Sequence, residues 1–109
     1  MTLGERQRLF GGLLGKLLVH IYESGYEVSV DWAYRPPDVA AYYAQIGVGI
    51  RNSLHIKKLA VDLNLFLDGK WLRDTAAHKG FGEWWEKQHQ LCRWGGRWND
   101  GNHYEVRDD

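Results

Sequence analysis

The stretch "LAVDLNLFLDGK", Leu59 to Lys70, predicts the centre of the fold. Apolar residues occupy every second position from Leu59 to Leu65, which is the period of a strand with one face against a core. The Asp-Gly pair that follows favours a tight hairpin turn and a return strand beginning at Trp71. The opposite face of the strand carries Asp62, and an ionised carboxylate there is costly unless it is paired or bound to a metal.

Helical and extended patterns alternate on both sides of this strand. Thr2 and Glu5 have the spacing of a capping box, and apolar residues then recur at helical spacing up to Ile21. The further predicted elements are a strand in "YEVSVDWAY" (26–34), a helix in "DVAAYYAQI" (38–46), a helix in "FGEWWEKQHQLCRW" (81–94), a glycine-rich loop in "WGGRWNDGN" (94–102) and a strand in "HYEV" (103–106). Helices around a small, mostly antiparallel sheet give an α+β fold.

Length and composition predict one domain over residues 1–109, because 44% hydrophobic residues and six tryptophans suffice for a single core. Lys plus Arg equals Asp plus Glu at 14 each, so the basic excess of a general nucleic-acid binder is missing. The one cysteine, Cys92, has no partner for a disulfide or a C-x-x-C metal motif, and we expect it to be a buried bystander.

The N-terminal apolar run is interrupted by charges such as Arg8 and Lys16, and no signal-peptide cleavage site follows it in good register. It is too short and too amphipathic for stable membrane insertion. We expect a soluble product of the cytoplasm without its own export signal. No long heptad pattern demands a partner, so a monomer is the default expectation.

Two pairs of polar residues frame the predicted strands. His55 stands just before the central strand, close enough for a loop to fold its imidazole toward Asp62, and Asp100 precedes His103 by three residues. Each pair alone is also explained by a salt link or a hydrophilic turn. Together, two histidines and one carboxylate match the ligand set of a catalytic zinc site with an open fourth position, and a further carboxylate could serve as a base.

The segments "GIRNSLHIKKLAVDLNLFLDGKWL" and "WGGRWNDGNHYEV" resemble a zinc peptidase family. That family includes D-alanyl-D-alanine carboxypeptidases, D-Ala-D-Ala dipeptidases and phage L-alanyl-D-glutamate endopeptidases. Its signatures are Ser-x-His-x6-Asp and, later in the chain, either Asp-x-x-His or Glu-x-x-His. The similarity runs from the opening helix to the last strand and implies the hedgehog/DD-peptidase fold, while the compact length and the Trp-Gly-Gly run resemble phage lysis proteins.

The resemblance implies roles for the four framing residues. His55, Asp62 and His103 fall on the metal ligands, and the implied cofactor is Zn²⁺. Asp100 falls on the general base that activates the attacking water. An aspartate at this position is similar to the endopeptidase branch of the family, since the dipeptidases tend to have glutamate.

Further positions follow from the same resemblance. Arg35 falls near the family arginine that binds a substrate carbonyl or carboxylate and steadies the oxyanion, and Ser53 would shape the substrate site. Trp94 and Trp98 flank the implied base, and we consider them either substrate-binding or packing residues. The family often has glycine three residues after the first histidine, where this chain has Lys58; the lysine would either narrow the site or be a subfamily variant.

The implied function is zinc-dependent hydrolysis of peptide bonds in bacterial peptidoglycan stem peptides, as an endolysin-like L-Ala-D-Glu endopeptidase that acts on the cell wall after release or delivery. One alternative is a D-Ala-D-Ala carboxypeptidase. Another is a catalytically inactive peptidoglycan-binding or phage structural protein, although such a protein needs no base beside a ligand.

The other conspicuous residues have ordinary structural explanations. We expect core or rim packing for Trp84 and Trp85, a satisfied or surface position for His20, and solvated helix faces for His78 and His89. Asn64 and Glu105 are candidates to orient metal ligands, with a purely structural role equally open.

Overall fold

A computed structural model of the chain describes residues 1–50 and 53–109; residues 51 and 52, which belong to the first of the two family-like segments, lie outside the described residues. The helices are α1 (Leu3–Glu23), α2 (Pro37–Gln45) and α3 (Lys79–Gln88), and the strands are β1 (Glu27–Val30), β2 (Ala60–Leu67), β3 (Lys70–Leu72), β4 (Cys92–Trp94) and β5 (His103–Val106). Short 3₁₀ turns cover Leu54–Lys57, Thr75–His78 and Gly95–Trp98.

The strands of the described residues form one five-stranded sheet in the order β1-β2-β5-β4, and β3 also pairs with β2. Every pairing is antiparallel. The first part of β2 pairs with β5, and its second part pairs with β1 and β3. The predicted α+β class is confirmed, and β2 is the strand on which the rest of the sheet is assembled.

The hairpin between β2 and β3 forms at the predicted Asp-Gly pair. Asp68 has φ 51° and Gly69 has φ 77°, so both turn residues are left-handed. This is the backbone of a type I′ turn, which matches the twist of the flanking strands.

Helix α1 begins with the predicted capping box. The backbone N–H of Glu5 donates to the Thr2 hydroxyl at 3.1 Å, and the Glu5 carboxylate accepts from the Thr2 N–H at 2.8 Å. No described helix combines the length and the apolar character that crossing a bilayer requires. The buried stripe of α1 packs on the apolar face of the sheet and on α3, in a core that includes Phe10, Leu13, Leu17, Ile21, Leu59, Val61, Leu63, Leu65, Phe81, Trp85, Tyr104 and Val106.

Two predicted elements are shorter than expected. The first strand ends at Val30, although the backbones of Asp31 and Trp32 still bond to that of Asp62. The third helix ends at Gln88 and does not reach Trp94. Residues Cys92–Trp94 pair with β5 instead, because the edge of the sheet supplies hydrogen bonds that override the helical spacing of the apolar residues.

His78 is the clearest error among the residues explained from sequence alone. It was expected on a solvated helix face, yet it is 2% exposed and its Nδ1 lies 2.9 Å from the Tyr104 hydroxyl. Burial lowers the pKa of His78 to about 4, so the ring is neutral at pH 7. Cys92 is buried as expected, and Trp85 packs in the core.

Candidate metal centre

One face of the sheet presents a row of polar side chains across three strands. Asp62 on β2 is the register partner of His103 on β5, and Glu105 on β5 is the partner of Arg93 on β4. Directly paired residues point to the same face, so these four side chains lie next to one another. Ala60, opposite Glu105 on β2, leaves room for the larger groups.

His55 reaches this row from the 3₁₀ turn before β2. Ser53 caps that turn, since its hydroxyl accepts a hydrogen bond from the His55 N–H at 3.2 Å. The His55 Nδ1 lies 2.9 Å from the carbonyl oxygen of Ala33, which leaves Nε2 directed at the Asp62 carboxylate. Ser53 is largely buried in the wall of the cleft, and its hydroxyl holds the backbone of His55 in place.

Three donor atoms converge at the centre of this arrangement. Asp62 Oδ1 lies 3.3 Å from His55 Nε2 and 3.1 Å from His103 Nδ1, and one ligand atom from each residue lies within 4.8 Å of the others. A tetrahedral zinc ion with bonds of about 2.0–2.2 Å holds its ligand atoms roughly 3.3–3.6 Å apart. The donor types and their spacing therefore fit a zinc ion with two histidines and one carboxylate.

The second nitrogen of His103 is held by a buried carboxylate. Glu105 Oε1 lies 2.7 Å from His103 Nε2, and Glu105 Oε2 accepts from Arg93 Nε at 2.7 Å. A carboxylate on the outer nitrogen of a metal-binding histidine fixes the ring orientation and raises its basicity. Sequence reasoning left the role of Glu105 open; the strand register identifies its contact with the imidazole.

We expect Glu105→Gln to weaken zinc binding by about 10- to 100-fold. The neutral amide orients the His103 ring less firmly than the carboxylate does, and it does not raise the basicity of the imidazole. Titration of metal-free protein against a zinc indicator measures the change. Glu83→Gln, which removes an exposed carboxylate on α3, is the matched control and should bind zinc as the parent does. Equal affinity in a folded Glu105→Gln protein would show that the carboxylate does not support the ligand.

The charges of the centre are strongly coupled. Burial raises the pKa of Asp62, but hydrogen bonds from His103 and His55 outweigh burial and bring it to about 2. Burial lowers the pKa of His103, but its bonds to Asp62 and Glu105 outweigh burial and raise it to about 9. Without a metal, the cluster therefore holds a proton on His103 between two carboxylates at neutral pH.

Asp100 stands at the edge of the cluster. Its Oδ2 lies 3.9 Å from His103 Nδ1, and 49% of its side chain is exposed to the cleft. Burial raises the pKa of Asp100, and the negative charge of Asp62 adds to the rise against the opposing effect of His103. A carboxylate that is open to the cleft and lies beside a metal site suits a group that accepts a proton and returns it.

The loop that carries Asp100 is fixed on both sides. The Asp100 N–H donates to the Gly95 carbonyl at 2.9 Å, and the Gly101 N–H donates to the Thr75 hydroxyl at 3.2 Å. A Cβ atom on Gly95 would lie 2.2 Å from the Asp100 carbonyl oxygen, so only glycine fits there. Sequence reasoning missed Thr75, because it lies 25 residues before Asp100 in the sequence and belongs to no motif.

Arg35 lines the same cleft. Its guanidinium lies 3.8 Å from Asp62 Oδ2 and packs over the rings of Trp32 and Tyr43, at 5.0 and 5.2 Å from their centroids. Its Nε is buried and has no hydrogen-bond partner among the described residues. The cleft has a volume of about 860 Å³ and is also lined by His55, Asp62, Asp100 and His103.

The two tryptophans near Asp100 have different environments. Trp94 is 4% exposed, its indole N–H donates to the Gly101 carbonyl at 2.7 Å, and its ring fills a slot against Gly82 and Gly96. It lies beneath the loop that carries Asp100, so we do not assign it a substrate contact. Trp98 is 47% exposed, lines the cleft and packs with its ring centroid 5.8 Å from that of His103.

Lys58 occupies a backbone conformation that favours glycine. It ends the turn that carries His55, with φ 59° and ψ 37° in the left-handed region. That conformation explains physically why a glycine suits this position. The Lys58 ammonium lies 5.4 Å from the centroid of the Tyr34 ring, and Lys58 is not among the residues that line the cleft.

We expect Lys58→Gly to stabilise the fold by about 0.5–1 kcal/mol, because relief of left-handed strain exceeds the entropic cost of glycine in the unfolded chain. Thermal unfolding of the metal-free protein measures the gain. Lys57→Gly, one residue earlier inside the turn, should destabilise it. A lower melting temperature for Lys58→Gly would contradict the strain at this residue.

Comparison with known proteins places these features in a family. A family model described as D-alanyl-D-alanine carboxypeptidase matches residues 47–106, which contain His55, Asp62, Asp100 and His103. The fold is similar to that of the L-Ala D-Glu endopeptidase ChiX of Serratia marcescens, with a TM-score of 0.65 and 19% identity over 74% of this chain and 67% of that chain. No curated protein sequence matches significantly. The family match spans more than half of the residues, and the chain belongs to the D-alanyl-D-alanine carboxypeptidase family of peptidases.

Proposed function

We propose that this protein is a zinc-dependent peptidase that cleaves stem peptides of bacterial peptidoglycan, with residues 1–109 as a single zinc peptidase domain. The observation that carries the proposal is the convergence of His55, Asp62 and His103 on one point, with Asp100 at its edge. A peptide in the adjoining cleft would lie against the three donor atoms and the carboxylate of Asp100, which line the same cleft.

His55 Nε2, Asp62 Oδ1 and His103 Nδ1 would hold the zinc ion. Bound in this way, zinc supplies Lewis acidity, which polarises a carbonyl group and lowers the pKa of a coordinated water. The protein supplies the proton transfers. Asp100 takes a proton from the attacking water and delivers it to the leaving amine, a role that its exposure to the cleft and its position 3.9 Å from His103 Nδ1 support.

Arg35 is suited to stabilise the negative charge that develops on the carbonyl oxygen. Its guanidinium packs against the rings of Trp32 and Tyr43, and Arg35 lines the cleft beside the three donor residues. A preorganised cation in a partly dry cleft stabilises a transition-state charge more than water does. Trp98 can contact substrate at the cleft rim.

Two bonds are candidates for cleavage. The family description names D-alanyl-D-alanine carboxypeptidase. We favour an L-Ala-D-Glu endopeptidase because the space around Asp100 continues on two sides: Asp100 borders both the cleft and a second cavity. An endopeptidase needs room for chain on both sides of the scissile bond, whereas a carboxypeptidase needs room for one residue beyond it.

Digestion of purified peptidoglycan, followed by mass spectrometry of the released fragments, separates the possibilities. An endopeptidase releases peptides that begin with D-Glu. A carboxypeptidase releases free D-Ala. A zinc-loaded protein that binds peptidoglycan and releases neither product is an inactive binding module, and the proposal of catalysis then fails.

A further inference from the structure

A second cavity lies beside the metal centre, between β2, β3 and the loop before β5. It has a volume of about 240 Å³, and Asn64, two residues after Asp62 on β2, lines it. Residues two apart on a strand share a face. Asp100 lines this cavity and the main cleft alike, so the two spaces meet at the proposed base.

Arg73 is the one arginine or lysine among the described residues that line the cavity. Its guanidinium lies 4.0 Å from the centroid of the Trp71 ring. Among the described residues no carboxylate lies within ion-pair distance of Arg73. The other polar groups in the wall, apart from Asp100 and His78, are neutral amides and a hydroxyl: Asn64, Thr75, Asn99 and Asn102.

The position of Asp100 decides which half of a peptide enters this cavity. A residue that returns a proton to the leaving amine must lie beside that amine. Arg35, suited to the carbonyl side, lines the main cleft and not the second cavity. The leaving half therefore points into the second cavity, which receives the residue directly after the scissile bond.

We propose that this cavity is the subsite for the leaving residue and that Arg73 binds a free carboxylate on the carbon that bears the leaving amine. The inference rests on the proposed function. A γ-linked D-Glu has such a carboxylate, and so does a terminal D-Ala. The planar guanidinium of arginine matches a carboxylate with two parallel hydrogen bonds, and its stacking on Trp71 limits its freedom before binding.

The test compares two synthetic stem peptides that differ in one group. One has the α-carboxylate of D-Glu, and the other has the carboxamide at the same carbon. We expect the zinc-loaded parent to prefer the carboxylate peptide, and Arg73→Gln to lower kcat/KM by roughly 10- to 100-fold for that peptide alone, as loss of a charge-assisted hydrogen bond predicts. Lys70→Gln, an exposed cation at the start of β3 that does not line the cavity, is the control and should leave both rates unchanged.

A binding measurement separates this inference from the proposed catalysis. The dipeptide γ-D-glutamyl-L-lysine should shift the Arg73 Nε–H resonance in the metal-free protein, and its α-carboxamide should not. Binding of this kind without hydrolysis of any peptide would refute the proposed activity and support the subsite. The subsite would be overturned if Arg73→Gln lost the same rate on both peptides. It would also be overturned if the parent did not distinguish carboxylate from carboxamide in hydrolysis or in binding. Either result would leave the proposed activity standing.

Discussion

Asp100→Asn should keep the zinc site and lose peptide hydrolysis by about 10²- to 10⁴-fold, the range for removal of a general base. Asparagine has nearly the shape of aspartate but cannot take a proton. Asp100 is outside the group of three donor residues, and about half of its side chain faces the cleft, so the fold and the metal site should tolerate the change. Zinc content by mass spectrometry and amine release from peptidoglycan measure the two properties separately.

Asp108→Asn is the matched control for this variant. Asp108 also lines the cleft, but its carboxylate pairs with Lys57 near the surface and not with the metal centre. Loss of such an exposed pair costs little stability. An Asp100→Asn protein that hydrolyses peptidoglycan as fast as Asp108→Asn would remove Asp100 from the chemistry.

His103→Ala should abolish zinc binding at micromolar zinc concentrations, and peptide hydrolysis should be lost with the metal. The substitution deletes one donor atom, and it leaves the partly buried carboxylate of Asp62 and the buried carboxylate of Glu105 without their shared partner. Removal of one member of a buried ion pair typically costs about 3–5 kcal/mol, so the melting temperature should also fall.

His20→Ala is the control for His103→Ala, because His20 lies on α1, stacked on Trp84 and away from the cleft. It should keep full zinc content. Circular dichroism establishes whether each variant is folded before the zinc is counted. A folded His103→Ala protein that binds zinc with the parent's affinity would mean that the ion is held elsewhere.

The sequence predicted the parts of this protein that follow from local pattern. Strict alternation in β2 predicted both the buried leucine face and the opposite position of Asp62, and the structure confirms them. The Asp-Gly turn and the capping box of α1 depend on neighbours within a few residues, so the sequence predicted them equally well. The grouping of His55 with His103 rested on their residue types, which match a zinc ligand set, and on the family resemblance, because 47 residues separate them and no periodicity links them.

Contacts between strands that are distant in sequence could not be predicted from local pattern. Glu105 meets His103 and Arg93 only because β5 pairs with β4 in one particular register. The charged neighbours of His78 in the sequence predicted a solvent-exposed side chain, but the fold places it against Tyr104. The third helix was extended to Trp94 because apolar spacing alone does not reveal that Cys92 and its neighbours find backbone partners in β5.

The metal dependence of bond cleavage tests the central claim most directly. Metal-free protein should be incubated with purified peptidoglycan with and without one equivalent of zinc, and the new amino termini identified by mass spectrometry. We predict that about one zinc ion binds per chain and that peptides beginning with D-Glu appear only in its presence. Cleavage that is independent of metal, or a protein that binds zinc and releases no new amino terminus, would contradict a catalytic zinc held by His55, Asp62 and His103.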